Sequence, residues 1–426
     1  MFMELNSSIT RYNSLFLNSV LSNLKRAIDL GGFGEEFFTY LSRPMRTISI
    51  NIPVKINGSI RIYEGYRVQH NNALGPYKGG IRFHPEVTLE DDMALATIMT
   101  LKNSLNGLPY GGAKGAIRID PSKVSKEELE AVSRGYARAL VQFIGPDIDI
   151  PAPDLNTNPQ IMAWMVDEYS KMMGRNVPAT FTAKPVQLWG NPVREYSTGY
   201  GVALWTRNAA RKFLKGIEGA TVAVQGFGNV GYWLSHFLTE MGAKVVAIGD
   251  IGGAIYNSNG FNPDEVKAVE RKTGTVVNYT GPGTRKIGMD ELLTLNVDIL
   301  VPAAVEGVIN YSNANAVKAK LIMEAANGPV TSDAEEMLYK RGIYVFPDIG
   351  VNAGGVVMSY LEWVENLQWF IWDEEETKKK LDFMITNAFN RVYDRWQKMN
   401  GATIRDAAYI DALDRIYQAM KWRGWI

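Results

Sequence analysis

Apolar and polar residues alternate along Thr47-Ile48-Ser49-Ile50-Asn51-Ile52, and this period of two predicts a strand, with a second strand over Ile60 to Val68. The period then lengthens. Thr88-Leu89-Glu90-Asp91 has the form of a capped helix start, followed by Met93, Ala96 and Met99 at helical spacing. Ser125-Lys126-Glu127-Glu128 is a capping box in sequence form, with Leu129, Val132 and Tyr136 on one face behind it. Between these segments lie three stretches too irregular in pattern for element interiors. They are Gly75-Pro76-Tyr77-Lys78-Gly79-Gly80, Gly107 to Gly115, and Ile150-Pro151-Ala152-Pro153-Asp154.

From about Gly190 the texture changes. Thr221 to Gln225 and Lys244 to Ile248 are short apolar strands flanking a helical stretch from Asn229 to Met241. Further strands are predicted at Val297 to Val301, Leu321 to Glu324 and Tyr344 to Phe346. Such alternation predicts a parallel sheet with helices on both faces. Thr275 to Gly288 reads as a long surface loop. From Gly354 the chain turns helical, and Val357, Tyr360/Leu361, Val364, Leu367 and Ile371 form the stripe of a packing helix, with Glu362, Glu365 and Asn366 off it.

Composition narrows the chemistry. A chain of 426 residues exceeds what one core usually serves, so two or three domains are expected. Lysine plus arginine and aspartate plus glutamate each number 45, which argues against a generic nucleic-acid binder. There is no cysteine, which excludes disulfides, thiolate metal sites and thiol nucleophiles; it also fits a thermally stressed host. His70, His84 and His236 are the whole histidine complement, and no metal site is expected. Met1 to Leu5 lacks the basic start and long apolar run of a secretory signal, and no apolar window is long enough for a membrane span. The expected compartment is the cytoplasm.

Gly226-Phe227-Gly228-Asn229-Val230-Gly231 fits the dinucleotide fingerprint, and its context strengthens it. It follows a strand and opens a helix, and a second strand ends at Asp250, about 20 residues on. The first glycine makes the tight turn, the second admits a pyrophosphate, and the third lets helix and strand pack closely. The helix N-terminus favours the phosphate charge. Asp250 is placed to accept bonds from the adenosine ribose. With Ile251-Gly252-Gly253-Ala254 rather than a basic residue behind it, the reading leans to NAD, with NADP also admitted.

Three lysines sit in unusual settings. Lys78 lies between Tyr77 and Gly79-Gly80, Lys102 in Leu101-Lys102-Asn103-Ser104, and Lys114 in Gly111-Gly112-Ala113-Lys114-Gly115. Singly each reads as a surface lysine. Together with Asp154 after Pro151-Ala152-Pro153 they suggest a pocket for a dianionic substrate, because glycines beside a lysine let a small ligand approach the backbone.

These stretches, with Glu64-Gly65-Tyr66-Arg67-Val68-Gln69-His70, Ile81-Arg82-Phe83-His84-Pro85, Pro109-Tyr110 and Asn352-Ala353-Gly354-Gly355-Val356-Val357-Met358-Ser359, resemble the hexameric glutamate dehydrogenases. The likeness extends to the wider Glu/Leu/Phe/Val dehydrogenase group in its archaeal, thermophile-like form, and it runs from roughly residue 20 to the end. The resemblance implies that Lys78 and Ser359 hold the side-chain carboxylate of glutamate and Lys102 its α-carboxylate. Lys114 would be the catalytic lysine and Asp154 its proton-transfer partner. Thr198, Gly226, Gly228, Asn229, Val230, Gly231 and Asp250 would bind the cofactor, with Asn327 and Asn352 at its nicotinamide end. It further implies a two-domain α/β fold: a substrate-binding and oligomerisation domain with a mixed sheet over 1–185, and a Rossmann-type dinucleotide-binding domain over 186–355. C-terminal helices over 356–426 would return to the first domain, and the assembly would be a homohexamer acting on glutamate, 2-oxoglutarate and ammonia.

Three rivals stand beside this. An aliphatic or aromatic amino acid dehydrogenase of the same fold would need apolar residues where Lys78 and Ser359 stand. A non-catalytic nucleotide sensor could lose Lys114 or Asp154, yet both are present. A 2-hydroxy acid dehydrogenase needs a catalytic histidine, and His236 falls on the helix after the glycine turn.

Overall fold

The alternation that begins at Thr47 becomes the first of five strands: β1 Arg46–Ile56, β2 Ser59–Asn71, β3 Tyr77–Phe83, β4 Gly112–Ile117 and β5 Asp149–Pro153. The computed structural model describes residues 12–56 and 58–426, so the expectation for Met1 to Leu5 lies outside the described residues. Two units emerge. The first takes in the described residues up to Arg194 with Met358–Thr377 and Tyr409–Ile426; the second takes in Glu195–Val357 and Lys378–Ala408.

In the first unit the strands form one sheet in the order β1-β2-β4-β3-β5. β2 is antiparallel to β1 and β4, while β3 is parallel to β4 and β5, so the sheet is mixed. Its helices are α1 Leu15–Gly31, α2 Glu35–Leu41, α3 Leu89–Leu105, α4 Lys126–Ala139 and α5 Pro159–Met173. Ile81, Phe83 and Ile117 point to one face and share a core with Val132 and Tyr136 of α4 and Ile161 and Met165 of α5. α3 packs on β2, β3 and β4, and a His70 Nδ1–Thr100 Oγ1 bond of 2.8 Å joins it to β2.

The two helix starts read from sequence behave differently. At Thr88 both halves of the capping box form: its hydroxyl accepts from Asp91 N, and Asp91 accepts from Thr88 N. At Ser125 only the first half forms, with the hydroxyl accepting from Glu128 N at 3.2 Å. The Glu128 carboxylate turns instead to Arg61 and Tyr63, a stronger charge-assisted pairing than a backbone amide offers.

The three stretches read as irregular are β3, β4 and β5, the middle and one edge of the sheet. Their composition hides them because neighbouring backbone fills the room that side chains would take. A Cβ on Gly79 would lie 1.6 Å from Ala113 O. Buried strands pressed this tightly lose the alternation that makes a strand legible.

The second unit holds β6 Thr221–Gln225, β7 Lys244–Asp250, β8 Gly253–Tyr256, β9 Arg285–Ile287, β10 Ile299–Pro302, β11 Leu321–Met323 and β12 Tyr344–Phe346. The sheet order is β12-β11-β10-β6-β7-β8-β9. The strands from β12 to β7 are parallel, and β8 and β9 extend one edge antiparallel. β9 falls inside the segment expected to be a loop. The helices are α6 Ser197–Phe213, α7 Asn229–Glu240, α8 Pro263–Thr273, α9 Met289–Leu293, α10 Ser332–Lys340 and α11 Asp348–Val351. Strand order reverses between β6 and β10, and the glycine turn sits at the carboxyl end of β6, where open α/β sheets bind ligands.

Three helices close the chain: α12 Gly354–Gln368, α13 Glu374–Trp396 and α14 Ile404–Trp422. The tail was expected to return to the first domain as a whole, but Lys378–Ala408 groups with the second unit. Arg207 grips Asp382 with two bonds, Phe389 packs on Trp205 and Phe346, and Arg405 pairs with Glu324. The expected divisions at 185/186 and 355/356 fall at Arg194/Glu195 and Val357/Met358. On α12 the stripe is only half the story. Glu362, Glu365 and Asn366, off the stripe, are buried, while Leu367 is exposed. Lys184 pairs with Glu362, Asn191 donates to Glu365 and Asn366 donates to Trp189 O, so polar partners compensate the burial. Among the described residues no helix is long and apolar enough to cross a membrane.

Candidate active site

In parallel strands, residues opposite one another share a face, so Arg82 opposite Ala116 aligns the even-numbered positions of β3 with those of β4. Lys78, Gly80 and Arg82 of β3 therefore share a face with Gly112 and Lys114 of β4. Asp154 follows β5 on the same side, since a Cβ on Gly80 would lie 2.8 Å from Asp154 Cβ. A turn holds the acid: Asp154 N donates to Thr157 Oγ1 at 2.7 Å, and that hydroxyl donates to Ile81 O at 2.9 Å.

Lys114 pairs with Asp154 Oδ2, and Arg82 Nε approaches the same oxygen at 3.3 Å. Burial alone would raise the Asp154 carboxyl, but Lys114 and then Arg82 outweigh it and hold it below the ordinary range. Lys78 is buried, and its Nζ donates to Ile150 O at 3.1 Å and Thr182 Oγ1 at 2.8 Å. Both partners are neutral. Burial, with Arg67 and Arg194 adding repulsion, pushes the Lys78 ammonium well below the usual lysine range.

Ser359 is buried on α12, one turn before Glu362, whose charge acts on Lys78. Tyr110, just ahead of β4, packs edge-on against Tyr360 and Trp363 of that helix. α12 is thereby fixed against the strand that carries Lys114. Lys102 is buried in the last turn of α3.

In the second unit the glycine turn has the expected form. Gly226 takes φ +101°, and a Cβ on Gly231 would lie 1.8 Å from Gly226 O. A Cβ on Gly228 would meet nothing within 4 Å. Gly228 is the N-cap of α7 and no side chain caps it, so the first amides of that helix are left to a ligand. A dinucleotide fits this cradle. Asn229 Nδ2 donates to Glu195 O at 2.8 Å, and Val230 follows it in the first turn of α7. Thr198 stands in the first turn of α6, beside Gly199, whose Cα faces Trp233 of α7. Asn352 Nδ2 donates to Asn327 Oδ1 at 3.1 Å, which brings together the two asparagines assigned to the nicotinamide end.

Asp250 does more than wait for a ribose. Its carboxylate accepts from Gly252 N at 2.8 Å, Thr275 Oγ1 at 2.9 Å and Val276 N at 2.6 Å. His236 bonds Asp264 at 3.0 Å on α7, a surface contact and not a catalytic one.

Sequence reasoning passed over Arg82, Thr182 and the buried Lys184–Glu362 pair, which closes at 2.6 Å. Arg82 carried a usable signal, since four positions along a strand from Lys78 returns to the same face. Thr182 and Lys184 carried none, for they meet their partners only through the tertiary fold.

The profile of the Glutamate/Leucine/Phenylalanine/Valine dehydrogenases matches residues 190–424, and that of the Glu/Leu/Phe/Val dehydrogenase dimerisation domain matches residues 44–171. The chain is 57% identical to the NADP(+)-dependent glutamate dehydrogenase of Pyrobaculum calidifontis, over 97% of this chain and 99% of that one. It is 49% identical to the glutamate dehydrogenase of Aeropyrum pernix, over 96% and 99%. Among solved structures, glutamate dehydrogenase from Peptoniphilus asaccharolyticus superposes with a TM-score of 0.87 at 40% identity, covering 96% of this chain and all of that one. The hetero-hexameric glutamate dehydrogenase from Thermus thermophilus gives 0.89 at 36% identity, covering 97% and 98%.

Proposed function

The chain belongs to the Glutamate/Leucine/Phenylalanine/Valine dehydrogenase family of NAD(P)-dependent oxidoreductases acting on CH–NH2 groups, and from that premise we infer that its reaction is the reversible oxidative deamination of L-glutamate to 2-oxoglutarate and ammonia. One observation carries glutamate ahead of the aliphatic amino acids. Lys78 is buried with two neutral oxygens as its bonding partners. Burial holds the Lys78 proton affinity down, so a methyl group gains nothing from the amine, whereas a substrate carboxylate restores the ammonium and pairs with it.

Lys78 and Ser359 take the side-chain carboxylate and Lys102 the α-carboxylate. Asp154 removes a proton from the substrate ammonium. The bound nicotinamide supplies the hydride acceptor for the α-carbon. Lys114 then takes a proton from water as the water oxygen bonds to the iminium carbon. Asp154 returns its proton to the nitrogen, and as the C–N bond breaks and ammonia leaves, the carbinolamine hydroxyl gives its proton to the freed Asp154 carboxylate and the carbonyl forms. The Lys114–Asp154 contact supports this division of labour, because one pair serves both proton transfers.

The residues named for the cofactor are Thr198, Gly226, Gly228, Asn229, Val230, Gly231, Asp250, Asn327 and Asn352. The lean to NAD rested on Asp250 standing at the ribose with no basic residue behind it to meet a 2′-phosphate. Gly252 in its own turn and Thr275 and Val276 beyond α8 already bond that carboxylate, and the Pyrobaculum relative is named NADP(+)-dependent, so NADP is accepted beside NAD. Assembly as a homohexamer in the cytoplasm completes the reading. β1 is an edge strand, and Ile60 and Ile62 on its partner β2 are about two-thirds exposed.

The test follows reduced-nicotinamide absorbance with glutamate, norvaline and leucine, using NAD and NADP in turn. Glutamate should be turned over fastest with either cofactor. Lys114→Ala and Asp154→Asn should keep cofactor binding while turnover falls about 10²–10⁴-fold, the usual share of a general acid–base group. Leucine turned over as fast as glutamate would sink the substrate assignment, and near-normal turnover in a folded variant would sink that residue's role.

A further inference from the structure

Asp92 is a buried acid that the reaction as described does not use. It lies in the first turn of α3 with about 1% of its surface exposed, and its Oδ2 has no hydrogen-bond partner. Buried carboxylate oxygens are normally satisfied, so an orphan one calls for a reason.

The register of α3 on β4 fixes where this acid lies. At one end Leu89 packs with Ala116, in a cluster shared with Tyr66 and Val87. At the other, a Cβ on Gly112 would lie 2.2 Å from Thr100 Oγ1 and 2.6 Å from Ala96 O, and Asn103 Nδ2 donates to Gly111 O at 2.5 Å. Helix and strand therefore run antiparallel. One helical turn back from Ala96 is Asp92, about 6 Å along the axis. Two residues on from Gly112, about 6.6 Å along the same face, is Lys114. The steps coincide, and they place Asp92 over Lys114.

We propose that Asp92 is a positioning residue for the reaction: its carboxyl lies against Lys114, opposite the contact with Asp154, and its charge sets the pH at which Lys114 is free to act as a base. This rests on the assignment of Lys114 as that base. Three charged groups face Asp92 from the packed sheet: Lys114 of β4, Arg82 of β3, and Asp154 beyond β5; Arg67 of β2, paired with Asp149 on the opposite face, acts on it through the sheet. Burial drives the Asp92 carboxyl up to about 7, against the pull of Lys114 and Arg67. The acid thus changes charge in the range where the enzyme must work. An ionised Asp92 strengthens the hold on the Lys114 proton, and a neutral one loosens it.

The experiment compares Asp92→Asn and Asp92→Ser with the unaltered full chain, measuring kcat/KM for glutamate against pH with saturating NADP. Both substitutions remove the charge, one at constant size and one with room for water, so either folded variant suffices. The acid limb should move to lower pH by about one unit, the scale of an opposite charge at 4–6 Å. A merely structural Asp92 would lower the melting temperature and leave the limb in place. A limb unmoved within about 0.2 units in a folded variant overturns the proposal. Lys114→Ala, run in parallel, separates the two readings. If it is inactive while the limb stays fixed, only the role of Asp92 falls. If it is active, the base assignment falls and takes Asp92 with it.

Discussion

A lysine ammonium that ends up buried against neutral oxygens has to be stabilised by something, and at Lys78 the proposed substrate does it. With its proton affinity driven well below the ordinary lysine range by burial, Lys78 should regain a proton when a carboxylate arrives. Binding of 2-oxoglutarate is therefore expected to take up protons. Calorimetry in buffers of different ionisation enthalpy reads this directly. Lys78→Met should lose the uptake and weaken binding by roughly 10²-fold, the worth of a charge-assisted bond in a dry site. Uptake that persists in the variant would place the proton elsewhere. The sequence told part of this story. The glycines beside Lys78 and Lys114 marked them as unlike surface lysines. Thr182, which completes the cradle, is more than 100 positions away from Lys78 in the chain, and no local pattern connects the two. Asp92 was hidden differently: an acid in a first helical turn is what any helix prefers, so its burial could not be read from its position.

At the scale of elements, legibility depended on whether a strand faces water. β1 and β2, half exposed, announced themselves by alternation, and β6 and β12 coincided with the predicted runs. β3, β4 and β5 did not, because backbone pressed as close as Gly79 to Ala113 O excludes the side chains that carry the pattern. The glycine turn is the opposite case, since there each glycine has a separate job that can be tested singly. Gly231→Ala puts a methyl 1.8 Å from Gly226 O, and the packing of α7 on β6 must give way. A loss of roughly 2 kcal/mol or more is expected, the scale of overpacking in a tight interior. Gly228→Ala meets nothing within 4 Å, at an ordinary φ of −70°. It should fold within about 0.5 kcal/mol of the parent, as surface changes do. Cofactor affinity should nevertheless fall at least about tenfold, because the methyl occupies the approach of the pyrophosphate. Melting curves and cofactor titrations on the two variants separate the roles. Equal cofactor binding by Gly228→Ala and the parent would remove the phosphate from that turn.

Over the whole molecule, three carboxyls are driven up to about 7, chiefly by burial: Asp92 and Glu365 in the first unit and Glu324 in the second. Arg405 offsets part of the burial at Glu324, while Trp372 N and Asn191 do so at Glu365. Between about 4.5 and 7 the folded chain holds protons at these sites that the unfolded chain has released. Its stability from them is therefore complete below the unfolded values and declines as pH rises through neutrality. The opposite holds for Asp154, Asp298 and Asp382, which ion pairs and hydrogen bonds keep below the usual carboxylate range despite burial. Their contribution is present above about 4 and lost as pH falls through the folded values. The two trends cross between them. From these groups, melting temperature at constant ionic strength should peak at about pH 4–4.5, fall most steeply between about 5 and 7, and level off toward pH 8. Glu324→Gln will be less stable outright, since Arg405 loses the Glu324 carboxylate and keeps only its pairing with Glu335 among the ion pairs named, but its decline from pH 5 to 8 should be shallower than the parent's. The slope is the quantity to read. A parent chain whose melting temperature climbs steadily to pH 8 would mean that these acids ionise at ordinary pH, and that the cations beside them, more than burial, govern their charge.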